Sequence, residues 1–110
     1  MANLKEWNFS ILKEADIAEY CLLMIEIDFL IRSQADFDIM LPEKKEIACM
    51  YGIVTGHERL RDNKYIVTSP VQRIRSSSNN YGLIVNTWNT EYEISLSEMD
   101  DYMKIVLRRY

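Results

Sequence analysis

The sequence predicts an α+β domain: a twisted antiparallel sheet or small partly open β-barrel of four to six strands, with an N-terminal and a C-terminal helix. Three observations point there. The middle of the chain carries Tyr65-Ile66-Val67-Thr68-Ser69-Pro70-Val71-Gln72-Arg73-Ile74, then Tyr81-Gly82-Leu83-Ile84-Val85-Asn86-Thr87, then Thr90-Glu91-Tyr92-Glu93-Ile94. These runs are rich in β-branched and aromatic residues and are divided by short polar turns. Lys13–Tyr20 holds good helix formers with acids in the first turn, which suit the helix dipole. Ser95-Leu96-Ser97-Glu98 has capping-box spacing, and Leu96, Met99, Met103 and Val106 follow at helical intervals.

Taken in order, Trp7–Leu12 alternates loosely and reads as a short strand or a lead-in to a helix. The run Cys21–Ile31 admits two readings. As a helix it joins Ile17, Tyr20, Met24, Ile27 and Ile31 on one face. As a strand it sets Ile25, Ile27 and Phe29 against Glu26 and Asp28. The strict apolar–acid alternation favours a helix that gives way to a strand in the second half. Ser33–Glu46 is polar, contains Pro42 and reads as a connection with a helical turn near Glu43–Glu46. Ile47–Val54 is a strand, and Gly56–Asn63 a turn-rich excursion. Lys64–Arg75 is one long strand in which Pro70, without a ladder donor, marks a bulge, bend or edge. Ser76–Asn80 closes a hairpin, and a final helix covers roughly Leu96–Leu107. No linker or repeat divides the 110 residues, so one domain spans 1–110.

Composition narrows the function. With 48% apolar residues the chain is no disordered tail. No uncharged apolar run reaches the roughly 18 residues that cross a bilayer, and the start resembles no secretory signal, so no membrane and a cytoplasmic location are expected. The net charge of −4 is uneven: ten acids and five bases in residues 1–50, two and five in 51–90, five and three in 91–110. The acidic total favours attraction to a basic partner over general phosphate binding.

The order of short motifs resembles a family of small uncharacterised bacterial proteins associated with phage and mobile elements. Tyr20-Cys21-Leu22 and Asp28, Met50-Tyr51, Arg59 or Arg61, Val67-Thr68-Ser69-Pro70-Val71, and Thr87-Trp88-Asn89-Thr90-Glu91-Tyr92 carry the likeness across roughly residues 20–95. Asn63-Lys64 replaces the glycine usual before the Thr-Ser strand. The resemblance implies a strand at the Tyr-Cys-Leu position, and it implies no activity.

No constellation points to catalysis. His57 is the single histidine; Ser69 or Cys49 would have to stand beside it as nucleophile, and no nucleophile-elbow, phosphate-loop or zinc-protease pattern accompanies them. The two cysteines, Cys21 and Cys49, lie in apolar runs and read as buried free thiols, not metal ligands. The acid pairs Glu26/Asp28 and Glu91/Glu93 read as the wet face of a half-buried sheet. Arg59, Arg61, Lys64, Arg73 and Arg75, with Tyr65 and Tyr81, have the composition of a nucleic-acid-binding sheet if they share a face.

The expected function is therefore non-enzymatic. The chain reads as a small protein that binds and neutralises a partner protein, an immunity protein or inhibitor of a basic toxin such as a nuclease. A phage-encoded inhibitor of a host defence nuclease is the alternative, and a small nucleic-acid-binding β-barrel the further one. The expected partner-binding residues are Asp36, Asp38, Trp88, Glu98, Asp100 and Asp101: acids to steer a basic surface and an aromatic anchor to hold it. No cofactor and no metal are expected.

Overall fold

The computed structural model describes residues 1–42, 45–78 and 82–100. Seven strands build one sheet: β1 (Ala2–Ile11), β2 (Asp38–Met40), β3 (Ala48–Thr55), β4 (Lys64–Val67), β5 (Val71–Ser76), β6 (Gly82–Thr87) and β7 (Glu91–Ser95). One helix, α1 (Ile17–Ser33), connects β1 to β2. The spatial order is β2-β5-β6-β7-β1-β3-β4. Every neighbouring pair is antiparallel except β1 with β7, which runs parallel. The expectation of a four- to six-stranded antiparallel sheet or partly open barrel with two helices is thus corrected. Among the described residues the sheet has seven strands, is mixed and does not close, and there is one α-helix.

β1 shows how sequence becomes shape here. Its apolar residues Leu4, Trp7 and Phe9 break a two-residue period between positions 4 and 7. A bulge absorbs the break: Lys5 opposes Ile53 and Asn8 opposes Tyr51, so Glu6 and Trp7 together face Gly52. Glu6 takes the left-handed conformation this needs, with φ 48°. All three apolar side chains then point into the core, Trp7 with no exposed surface. Its indole Nε1 donates to the Ser95 carbonyl at 2.7 Å, and its ring meets Phe9 edge-on at 82°. Gly52 is the other half of the device. A Cβ there would lie 2.8 Å from the Lys5 carbonyl oxygen and 3.2 Å from Trp7 Cα.

Residues 21–31 are helical throughout, which overturns the helix-to-strand reading and the strand implied by the family resemblance. Asp16 caps the N-terminus, accepting from the N–H groups of Ala18 at 2.8 Å and Glu19 at 3.1 Å. Gln34 stops the helix in the left-handed region at φ 56°. Leu23, Met24 and Ile27 are buried against the sheet, with Tyr20 and Ile31 packed beside them. Asp28 pairs with Arg32 one turn on at 3.0 Å. The alternation that suggested a strand is what a helix shows when apolar residues occupy every face and two acids fall between them.

Lys64–Arg75 is two strands at distant places in the sheet. β4 and β5 are five ladder spacings apart, about 24 Å across a flat sheet. The link from Val67 to Val71 spans about 15 Å at most. The sheet must therefore roll until the link can bridge it. The link is pinned at both ends: Thr68 N–H donates to the Met50 carbonyl at 2.7 Å, and Trp88 N–H to the Pro70 carbonyl at 3.2 Å. Pro70 contributes its carbonyl where it has no N–H to lose.

The expected closing helix is replaced, in its described part, by a single 3₁₀ turn at Leu96–Glu98. Ser95 Oγ accepts from Ser97 N–H at 3.4 Å, a cap one residue short of the capping box. Met99 then bridges back to Trp7, and Asp100 N–H donates to the Trp7 carbonyl at 2.9 Å. The remainder of that expected helix, Asp101 included, and part of the expected turn near Glu43–Glu46 lie outside the described residues. Among the described residues no helix is long and apolar enough to cross a membrane.

The core is the concave side of the rolled sheet, where Leu4, Met50, Val54, Val71, Ile74, Leu83, Val85 and Ile94 meet the inner face of α1. Gly52→Ala should lower stability by about 1–3 kcal/mol, because the new methyl group must push β1 away at its bulge. Urea unfolding followed by Trp7 fluorescence measures this; an unchanged midpoint would show that the close approach is not needed.

Candidate protein-binding surface

The described residues among those expected to bind a partner, Asp36, Asp38, Trp88, Glu98 and Asp100, do not form one patch. Asp38 lies on the edge strand β2, where its carboxylate accepts from Arg73 Nε at 2.9 Å on β5. That donor holds the Asp38 carboxyl below its usual range. Asp36 is exposed beside the C-terminal end of α1. Trp88, 55% exposed, occupies the turn between β6 and β7. Glu98 and Asp100 follow the opposite end of β7. One strand's length therefore separates the expected anchor from two of the expected acids.

Near the turn that holds Trp88 the rolled sheet opens into a groove of about 890 Å³, bounded by the start of β1, the loop from Gly56 to Leu60, β4 and the β6–β7 turn. His57 stands on its wall. Its Nδ1 accepts from the Arg59 N–H at 3.0 Å, so the ring proton sits on Nε2, which donates to Thr90 Oγ1 at 3.2 Å. One ring nitrogen thereby fixes the β3–β4 loop on itself, and the other ties that loop to the β6–β7 hairpin. Cys49 is buried, its thiol is pushed up by that burial, and it contacts the Ser10 carbonyl. Thr68 Oγ1 accepts from Met50 N–H at 2.9 Å and donates to the Ser69 carbonyl. These groups serve the backbone.

The expected basic strip is divided. Arg73 pairs with Asp38, and Arg75 pairs with Glu91 at 3.1 Å, where Asn86 also donates. Arg59, Arg61 and Lys64 stand at the other side of the sheet, in and beside β4. Glu91 is engaged in this cross-strand network on the outer face, as the wet-face reading of Glu91/Glu93 expects. No group of three or more His, Cys, Asp or Glu among the described residues is arranged to hold a metal.

The surface that sequence reasoning missed is the outer face of α1. Leu22 is 67% exposed, Ile25 54% and Phe29 69%, and with Ala18 and Arg32 they recur at spacings of four, three, four and three. That is the seam spacing of helices that pack on one another. Ile17 at the N-terminal end is also exposed, as is Cys21, against the expectation that both thiols are buried. Acids flank the seam: residues 14–33 contain five acids and one base. A signal was present. A helix apolar on all sides must bury all of them, and the rolled sheet covers only one.

Tyr51 shows the electrostatics at the other sheet face. It projects outward from β3, lies 6.1 Å from the Tyr65 ring, and donates to Asp100 Oδ2 at 3.3 Å. Burial first, then the Asp100 charge, push its pKa up to about 12. The unfolded phenol ionises near 10.0, so the unfolded chain loses this proton first. Tyr51 thus adds a loss of stability as pH rises from 10.0 toward about 12, and none below. Tyr51→Phe should flatten that part of the decline and remove the latest phase of phenolate absorbance. Identical pH profiles for both proteins would refute the assignment. No protein-family model, no curated protein sequence and no solved structure matches this chain.

Proposed function

We propose that the chain is a non-enzymatic cytoplasmic protein that binds and neutralises a basic partner protein, as an immunity protein or inhibitor does with a toxin nuclease. The observation that carries this reading is the exposed seam of α1: Leu22, Ile25 and Phe29 in line, bordered by Glu19 and Glu26. An apolar row this continuous is costly to leave in water and is a common mark of a protein contact. The acids beside it choose the partner's sign. They disfavour an anionic lipid surface and favour a basic amphipathic helix.

Each part has its physical task. The acids raise the encounter rate with a basic surface, and the apolar seam sets how long the complex lasts. Glu19 is partly occupied by Lys45 at 2.9 Å and Asp28 by Arg32, which leaves Glu26 as the most available steering charge. The nucleic-acid reading has less support, since two of its five bases are already paired.

A synthetic amphipathic helix with leucine along its seam and lysine elsewhere serves as probe. It should bind the protein, and Phe29→Glu should weaken binding about 30-fold without changing the unfolding midpoint. Raising salt should slow association more than it speeds dissociation. Equal binding by Phe29→Glu, or better binding of a glutamate-bearing probe, would sink the proposal.

A further inference from the structure

The free edge of β4 makes a second, separate case. Backbone direction alternates along a strand, so the two sides of β4 can be assigned residue by residue. Thr68 N–H points to β3, where it donates to the Met50 carbonyl at 2.7 Å. Ile66 and Lys64, two and four residues earlier, point the same way and pair with Gly52 and Val54. The N–H and C=O of Tyr65 and of Val67 therefore face away from β3. No described strand pairs with them there, since β4 ends the sheet order.

Edges are usually protected by shortness, proline, a bulge or charged side chains, lysine above all; β4 is four residues long, and its one charge, Lys64, stands at its first position on the same face as Ile66. Here Tyr65 is 61% exposed and Val67 65%, and Pro70 comes only after the strand has ended. The groove runs along this edge, and all four residues of β4 line it. Its charge is not neutral in effect. Arg59 and Lys64 line it with Glu58 and Glu91, but Glu91 already accepts from Arg75 and Asn86.

We propose that this edge takes a short extended segment of a partner protein, which adds as an eighth strand and places a carboxylate beside Lys64 and Arg59. Tyr65 and Val67 each offer one donor and one acceptor to it, and their side chains supply an apolar strip on the outer face. A single nucleic-acid strand would meet the same two bases, but it carries no ladder to match four alternating backbone groups. The site is independent of α1, so Phe29→Glu should leave it intact and the two proposals can fail separately.

The probe is an acetylated, amidated Thr-Val-Glu-Val-Thr peptide, followed by amide hydrogen exchange on the full chain. In the free protein the Tyr65 and Val67 amides should exchange fast and that of Ile66 slowly. The peptide should slow the first two about tenfold or more. Val67→Pro removes a donor on the outward side only and should abolish binding, as should Tyr65→Pro if the first variant does not fold. Lys64→Glu, or lysine in place of the peptide's glutamate, should weaken binding about tenfold. Four results would overturn the proposal. Tyr65 and Val67 amides already protected in the free protein would show the edge occupied by its own chain or a second copy. The others are undiminished binding by Val67→Pro or Tyr65→Pro, undiminished binding after either charge reversal, and protection by oligothymidylate but not by peptide.

Discussion

The fold depends on one irregularity, the extra residue in β1 opposite Gly52. Without it, Leu4 and Phe9 would fall on opposite sides of the sheet, and one of them would be exposed. With it, both face the core, and Trp7 is turned in between them. The bulge also puts the Trp7 indole within reach of Ser95 and leaves the Trp7 carbonyl free to hold Asp100. One backbone kink thus joins the first strand, the third strand, the end of β7 and the chain beyond it. A bulge sharpens local twist as well, and a rolled sheet needs that twist where its central strands cross.

The roll has its own consequence at the surface. Because Thr68–Pro70 must bridge β4 and β5 through a curled sheet, β4 ends as a lone edge instead of a partner to its successor in the chain. The link's groups are spent on Met50 and Trp88, and none of them covers that edge. The groove, and a Tyr65 and Val67 backbone that no described strand pairs on its outer side, are therefore by-products of topology. They follow from a short connection laid across a wide sheet.

Much of this was legible in the residues, and the failures are specific. β3, β6 and β7 follow two-residue alternation with one face buried, and they stand where their patterns put them. β1 shows only loose alternation in sequence because the bulge shifts phase at Trp7, and a two-residue period cannot absorb one extra residue. The second half of α1 looks like a strand in sequence because its seam residues are as apolar as its core residues, which hides the helical period. The 3₁₀ turn in place of a helix start after Ser95 reflects a tertiary bond from Trp7, 88 positions away in sequence. Charge in the sequence points to the acids, but it does not reveal that Asp38 is already held by Arg73. β2, three residues long, is a strand only because β5 offers it an edge.

The net charge of −4 conceals two surfaces of opposite character. α1 is acidic around an apolar seam, whereas the β3–β4 loop and β4 carry Arg59, Arg61 and Lys64 against Glu58 and Asp62. Asp62 is further occupied by the Gly56 N–H at 2.9 Å, so the loop presents its bases more freely than its acids. A partner with a basic helix and an acidic extended segment would find complementary charge at both places, and a partner reversed in sign would find neither. Trp88, the one expected anchor that is well exposed, sits in the turn whose next residues line the groove. The two surfaces therefore differ in what they offer: α1 presents a row of exposed apolar side chains, and the edge of β4 presents backbone donors and acceptors.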